Sequence, residues 1–253
     1  MNFYRSAYTS GINTRDIQII SKTGDIQITG DRGTTSAGGM GHSSWGDIYF
    51  GSPLSGSWTA TGDVKFSYSS FVGAGAKGFK VKTTGAVAYE PTAASFVNAQ
   101  TFPHNANYIV AENASSLTIG KSTNTANITM DAATTVAGPI TVYGGTINID
   151  ANLTSTATTG TGISLNGQKI TQAAGVSAIT SGSNIDYLVT NSPWTAAADI
   201  GISLNSANGT KATINAQGGN IVINSAFATT GTNNSASNQE FGISLKKMVK
   251  KLK

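Results

Sequence analysis

The sequence predicts an all-β chain that coils on itself as a β-solenoid, and two observations lead to this prediction. The stretch 139–153 returns at 213–227, with Ile140 aligned with Ile214 and a pair of glycines at the same place in both copies. Within 146–153, apolar and polar residues alternate with a period of two, which places one set inside and the other in water. A repeated strand–corner–strand unit is typical of a coil that stacks on copies of itself. We therefore expect a single solenoid segment over 1–245, with about 9 to 12 turns of roughly 20 residues and loop excursions.

The two copies also define the expected core. Gly144-Gly145 and Gly218-Gly219 are interpreted as sharp corners, because glycine has no Cβ and tolerates positive φ. The residues expected to face inward are Ile140, Val142, Ile147, Ile149, Leu153, Ile163, Leu165, Ile214, Ile221 and Ile223.

Shorter motifs recur along the chain. A Gly-Asp pair, which is a turn signal, precedes an apolar–polar–apolar strand at Gly24, Gly46 and Gly62. The tetrapeptide Gly-Ile-Ser-Leu occurs three times at nearly even spacing, beginning at Gly162, Gly201 and Gly242. We interpret each interval between these motifs as two turns of roughly 20 residues each.

Two regions depart from the pattern. Residues 85–113 contain Pro91, Pro103 and several aromatic side chains, and we expect a less regular excursion with a helical turn near 92–99. The basic tail at 246–253 follows Leu245, and its apolar residues have the spacing of a short amphipathic helix. Either the tail is frayed, or it covers the last turn and discourages end-to-end association through its lysines. Binding to a membrane surface is disfavoured, because so short a segment rarely forms a stable helix in water.

Composition limits the classes of function. The net charge is +4, but five lysines lie within 246–253, and the other 11 basic residues are balanced by 12 acidic ones, so no nucleic-acid-binding face is expected. There are no cysteines, which excludes disulfides and thiolate metal sites. No apolar run is long enough for a membrane span, and no Sec-type export signal is recognisable at the N-terminus.

The spans 117–129, 132–149 and 152–155 all consist of short Ile/Leu/Val alternations joined by Thr, Asn and Ser. This pattern resembles the giant repetitive β-strand-repeat proteins of bacterial surfaces, which are related to filamentous-haemagglutinin-type adhesins. The resemblance extends from about Ser115 to Leu245. It implies a right-handed parallel β-helix, secreted or held on the cell surface, with adhesive or matrix roles and no catalytic motif. This chain is far shorter than members of that group, which suggests a segment of a longer protein.

A parallel β-helix can also be a polysaccharide lyase or hydrolase, which needs clustered carboxylates. Asp16, Asp25, Asp47 and Asp63 each precede a strand. Their uneven spacing argues against alignment, and we expect each to complete its own turn through a local bond to backbone. His42 and His104 are the only histidines and lie far apart in the sequence, which disfavours a metal site or a Ser-based triad.

A third alternative is an ice- or surface-binding face. Thr-x-Thr pairs occur at Thr59/Thr61, Thr123/Thr125, Thr154/Thr156, Thr159/Thr161 and Thr230/Thr232, mostly in connections, where threonine serves as turn filler. Trp45, Trp58 and Trp194 are expected to pack against the body of the protein rather than to bind sugars.

The sequence thus predicts a structural or adhesive segment rather than an enzyme. We expect no catalytic, metal-binding or cofactor-binding residues. The expected partners are glycans or proteins of host or neighbouring cells, and adjacent repeats of a longer chain that stack on this one.

Overall fold

The computed structural model describes residues 17–30, 40–42, 48–52, 58–73, 79–102, 109–110, 113–189, 200–207, 209–225, 228–233 and 244–246. Within these ranges the chain is all-β, with 24 strands and no helix. Consequently these ranges contain no helix long and apolar enough to cross a membrane. The tail expected at 246–253 lies outside them except for Lys246, which ends the last strand.

In chain order, the strands of the first half are β1 (Ile17–Ile20), β2 (Ile26–Gly30), β3 (Met40–His42), β4 (Ile48–Gly51), β5 (Val64–Tyr68), β6 (Phe71–Gly73), β7 (Phe79–Lys82), β8 (Ala86–Pro91), β9 (Gln100–Phe102), β10 (Ile109–Val110), β11 (Ser116–Ile119) and β12 (Ile128–Met130). Those of the second half are β13 (Thr134–Val136), β14 (Ile140–Ile149), β15 (Leu153–Ser155), β16 (Thr161–Gln172), β17 (Ser177–Thr180), β18 (Asn184–Val189), β19 (Ile200–Ala207), β20 (Thr210–Lys211), β21 (Thr213–Asn215), β22 (Ile221–Ser225), β23 (Ala228–Asn233) and β24 (Ser244–Lys246).

The strands form three columns of parallel neighbours. Column 1 comprises a four-stranded sheet, β1-β4-β7-β10, and a five-stranded sheet, β13-β15-β17-β21-β24. Column 2 is the path β2-β5-β8-β11-β14-β16-β18-β22. Column 3 comprises the pair β3-β6 and the path β9-β12-β14-β16-β19-β23. Among the described strands only β19 and β20 pair antiparallel, as a short hairpin.

The chain visits the columns in the fixed order 1, 2, 3. We call one visit to all three a pass; β1, β2 and β3 make the first pass, and β24 begins the ninth. The long strand β14 serves two columns, since Ile140 pairs with Leu117 of β11 while Ile147 pairs with Ile128 of β12. Its length thus comes from turning from column 2 into column 3 without a break in the strand.

One continuous apolar core runs through the stack. Most strands whose burial is described alternate between buried and partly exposed residues, and the buried apolar residues of the first eight passes form a single cluster from Ile26 to Ala216. Eight of the ten residues expected to face inward have 2% or less of their surface exposed. The other two, Ile221 and Ile223, contact this core but stay partly exposed. Among the described strands β22 pairs only with β18, so nothing there covers its other edge.

The passes are longer and more variable than the sequence suggested. In column 2, Ile163 stacks on Ile185 after a short connection, whereas a far longer stretch of chain separates Ile26 from its partner Val64. For this reason the described residues contain eight passes and the first strand of a ninth, where uniformly short turns would give more. Connections absorb the difference, because extra loop length has a small entropic cost.

The sequence repeats do not follow the structural register. Ile140, which the repeat aligns with Ile214, stacks through Ile163 and Ile185 on Ile221, whereas Ile214 belongs to column 1. The Gly-Ile-Ser-Leu motifs also occupy three different columns: Ile163 lies in column 2, Ile202 in column 3 and Leu245 in column 1. Each step from one motif to the next therefore advances by one and one-third passes. The interpretation as two turns is wrong.

The glycine corners and the 85–113 region also differ from expectation. Gly144 and Gly145 lie inside β14 without a positive φ, and only Gly218 of the second pair has one. A Cβ on Gly144 would lie 2.9 Å from Ile128 Cγ1, so close packing explains this glycine. Within 85–113, the strands β8, β9 and β10 join the regular columns. The bends at 92–99 contain no helical turn.

Candidate functional site

Polar side chains recur at the corner that leads into column 2. Asp25 immediately precedes β2, and its Oδ1 accepts a hydrogen bond of 2.9 Å from the backbone N–H of Asp63 in the next pass. Oδ1 of Asp63 accepts one of 2.7 Å from the N–H of Ala86, one pass further on. Each carboxylate therefore fastens its own pass to the following one.

Asparagine does the same at all three corners. Before column 2, Asn184 Oδ1 accepts from the N–H of Asn220 at 2.8 Å. The equivalent bonds before columns 3 and 1 run from Thr146 N to Asn127 Oδ1 at 2.9 Å and from Ser177 N to Asn152 Oδ1 at 2.8 Å. We call these five contacts the Asx ladder. In each contact a side-chain oxygen accepts from a backbone N–H of the following pass, which needs a hydrogen-bond partner when it leaves water.

The ladder corrects the prediction for the aspartates. Asp25 and Asp63 do align on successive passes although they are far apart in the sequence, because the intervening loop absorbs the extra length. Their bonds run between passes and not within their own turns. Asp16 and Asp47 lie outside the described residues.

A glycine stands one position before Asp25 and Asp63, and this position is sterically restricted. A Cβ on Gly62 would lie 2.6 Å from the carbonyl carbon of Gly24, and one on Gly85 would lie 2.6 Å from that of Gly62. Gly138 repeats this approach against Ser115 at 2.6 Å. The Gly-Asp motif thus combines a close approach of two backbones with a side chain that links them.

Sequence reasoning missed a polar network inside the core. Gln172 is fully buried; its Nε2 donates to the carbonyl oxygens of Val176 at 2.7 Å and Thr213 at 3.0 Å, and its Oε1 accepts from the Tyr187 hydroxyl at 2.8 Å. Burial raises the pKa of Tyr187 well above its ordinary value, as it does for Tyr68 and Tyr89. Because buried and partly exposed residues alternate at the end of β16, Gln172 was recognisable as inward from its position two residues after the buried Ile170.

A second buried amide holds the 92–99 segment. Asn124 Oδ1 accepts from Ser95 Oγ at 2.8 Å and from the N–H of Phe96 at 3.1 Å, while its Nδ2 donates to the carbonyl of Tyr143 at 2.8 Å. Phe96 is thereby placed in the core, where its ring lies 5.0 Å from that of Tyr68. The 92–99 connection is therefore packed against the core through Phe96.

The other candidate residues come together in no cluster within the described ranges. The side chain of His42, the whole of His104, Trp45 and Trp194 lie outside what the structure describes, and Trp58 is half-buried. Several threonines of the Thr-x-Thr pairs donate to backbone carbonyls of the preceding pass: Thr61 to Lys22, Thr123 to Ala94 and Thr156 to Ala137. These hydroxyls serve the stack, as the turn-filler interpretation expects.

The outward surface is mostly uncharged. Among the described residues an ion pair joins Lys65 and Glu90 at 2.7 Å, and one ammonium lies over a ring, Lys80 over Tyr49 at 6.0 Å. No group of three or more His, Cys, Asp or Glu residues in these ranges could hold a metal ion.

One outward area of column 2 combines an aromatic ring with neutral polar groups. It consists of Thr118, Thr141, Tyr143, Ser164 and Asn166, which we call the Tyr143 patch; all five are partly exposed. Its members are direct or diagonal neighbours on β11, β14 and β16. Chemically, this surface can donate and accept hydrogen bonds and offer one ring face.

Comparison with known proteins yields no match: no family model, no curated protein and no solved structure is similar to this chain.

Proposed function

We propose that the chain is a right-handed parallel β-helix, a β-solenoid segment of a bacterial repeat protein that is secreted or held on the cell surface. In that setting it has a structural or adhesive role. The right hand is the one that parallel β-crossovers adopt in nearly all known cases.

The observation that carries this proposal is the fixed order of the three columns. Each pass adds one strand, or one part of a long strand such as β14, to every column, so the chain lengthens the stack in the same way at each pass. At about 4.8 Å per pass, eight passes extend roughly 40 Å. A stack with a continuous core and nearest-neighbour contacts suits a stalk, because further repeats extend it in the same way.

The outward chemistry is compatible with contact to other cells or to a matrix. Neutral hydroxyl and amide groups dominate the described exterior of columns 2 and 3, as in the register series Thr101–Thr129–Asn148–Thr171. Such a surface favours glycans or proteins of host or neighbouring cells over nucleic acid, which requires clustered positive charge.

Localisation tests the biological part of the proposal. Intact cells of the source organism are treated with a protease and probed with antibodies against the purified chain; we expect the signal to disappear while a cytoplasmic marker survives. Protection of the chain in intact cells would overturn the surface assignment. Small-angle scattering of the purified chain tests the architecture separately, and a spherical particle would contradict the extended stack.

A further inference from the structure

We propose that the Tyr143 patch is a binding surface for a neutral polysaccharide, with the Tyr143 ring as its stacking platform. This inference rests on the proposed adhesive role and names the class of partner. It is carried by the position of one outward tyrosine among neutral hydrogen-bonding groups on a regular sheet face.

The register places the ring beside an open position. Tyr143 is in register with Asn166 on one side. On its other side the adjacent position is Gly120, which has no side chain and approaches the Tyr143 backbone closely. The register position next to Tyr143 on that side therefore contributes no side chain, and it is about one pass, or roughly 4.8 Å, wide.

Hydroxyl and amide groups line the ring. Thr118, Thr141 and Ser164 form a straight register series next to it, one group for each pass. Asn166 Nδ2 donates to Ser164 Oγ at 2.9 Å, which fixes the amide and leaves its Oδ1 available as an acceptor. A ligand that crosses the strands therefore meets a hydrogen-bonding group at every step.

The nearest carboxylates on this face are already occupied. Glu90 lies beyond Gly120 and is paired with Lys65 at 2.7 Å. Asp186 follows Ser164 in register, and its Oδ2 accepts from Thr161 Oγ1 at 3.2 Å. Between them the five residues of the patch carry no charge, and the ammonium of Lys121, which follows Gly120, donates to the carbonyl oxygen of Pro91 at 3.1 Å.

These features fit a sugar better than an apolar peptide or a lipid surface. A hexose ring has an apolar C–H face that can lie on an aromatic ring, and hydroxyls around its edge that pair with neutral donors and acceptors. An apolar partner would leave the Thr, Ser and Asn groups desolvated without partners. An extended chain of hexoses can place one sugar on the Tyr143 ring and pair its hydroxyls with the Thr, Ser and Asn groups of several passes.

The test uses the purified full chain and soluble neutral hexasaccharides of β-linked glucose and β-linked mannose, with an anionic oligogalacturonate as the charge control. Binding is measured by titration calorimetry and affinity electrophoresis. We expect the neutral probes to bind and the anionic one to bind more weakly. Y143A should weaken neutral binding by about tenfold, which corresponds to the value of one aromatic stacking contact.

Y49A is the matched control, because Tyr49 is also a partly exposed strand tyrosine but lies in column 1 beside Lys80. Y49A should bind like the unsubstituted chain, and thermal unfolding should show that both variants are folded. Equal affinity of Y143A and Y49A, or binding of no neutral probe, would overturn the sugar-binding inference. Neither result changes the protease result on intact cells, so a failure here is distinguishable from a failure of the surface role.

Discussion

The substitution Gly85→Ala tests whether adjacent passes touch as closely as the structure shows. The new Cβ would lie 2.6 Å from the carbonyl carbon of Gly62 and 2.8 Å from Asp63 Oδ1, whereas ordinary contact begins at 3.4 Å. The carbonyl oxygen of Gly62 lies closer still, so the two passes would have to separate locally by more than 0.8 Å, the difference between 2.6 and 3.4 Å. Such overpacking costs about 1–3 kcal/mol. Weakening of the 2.7 Å bond from Ala86 N to Asp63 adds about 1 kcal/mol, giving about 2–4 kcal/mol in total.

The free energy of unfolding is measured by urea denaturation, followed by far-UV circular dichroism. Gly24→Ala is the matched control, because Gly24 occupies the equivalent corner position before column 2, but the atom nearest to its new Cβ would be Ser21 Oγ at 3.1 Å. Both alanines restrict the unfolded chain equally, by about 0.4–1 kcal/mol, and this term cancels in the comparison. A difference below about 0.5 kcal/mol between the free energies of unfolding of the two variants would refute the close approach of the passes. The two sites differ chiefly in the atoms that the new Cβ would meet.

Three further predictions concern polar groups. Asp63→Ala should lower the free energy of unfolding by about 1 kcal/mol, while Asp63→Asn keeps an acceptor for Ala86 and should stay near the original value; equal urea midpoints for both would contradict the Asx ladder. Gln172→Leu removes the hydrogen bonds to the carbonyls of Val176 and Thr213 and leaves the buried Tyr187 hydroxyl without its acceptor, so a loss of about 2–4 kcal/mol is expected in the same assay. Burial raises the folded-state pKa of Tyr68, Tyr89 and Tyr187 above the ordinary 10.0, so their stabilising contribution is complete below pH 10 and is lost as pH rises further. Above pH 10, each tyrosine lowers the free energy of unfolding by about 1.4 kcal/mol per pH unit. Spectrophotometric titration should show the three tyrosines ionising only when the protein unfolds. A free energy of unfolding that stays constant above pH 10 would show that they are not buried.

The inward residues were the most predictable feature of the fold. Alternation in Ile147–Leu153 and around Ile163 identifies the buried face from local sequence alone, because a strand has only two sides. The column to which a strand belongs was not predictable, since an inward Ile looks the same on all three columns. This is why the repeat aligns Ile140 with Ile214 although Ile140 stacks towards Ile221.

The contacts between passes were partly visible in the sequence. Gly24-Asp25-Ile26 and Gly62-Asp63-Val64 mark the same corner, and so do Ser183-Asn184-Ile185 and Gly219-Asn220-Ile221. Treating Asp and Asn as equivalent acceptors would have revealed the ladder, because both offer a side-chain oxygen at that position. Uneven spacing concealed it, since loop length and register are independent in a stack whose connections lie outside the core.

The placement of the three Gly-Ile-Ser-Leu motifs has a consequence for how such a chain can change. If a segment as long as the interval between two of these motifs is duplicated or inserted, everything after it shifts by one-third of a pass, as the successive positions of Ile163, Ile202 and Leu245 illustrate. The core tolerates the shift, because every column requires apolar residues at alternate positions along its strands. The exterior is rearranged by it: groups that formed one surface before the duplication become divided between two sides of the rod afterwards. Growth by such steps would preserve the scaffold and at the same time generate new combinations of outward side chains, including new neighbours for an exposed ring such as that of Tyr143.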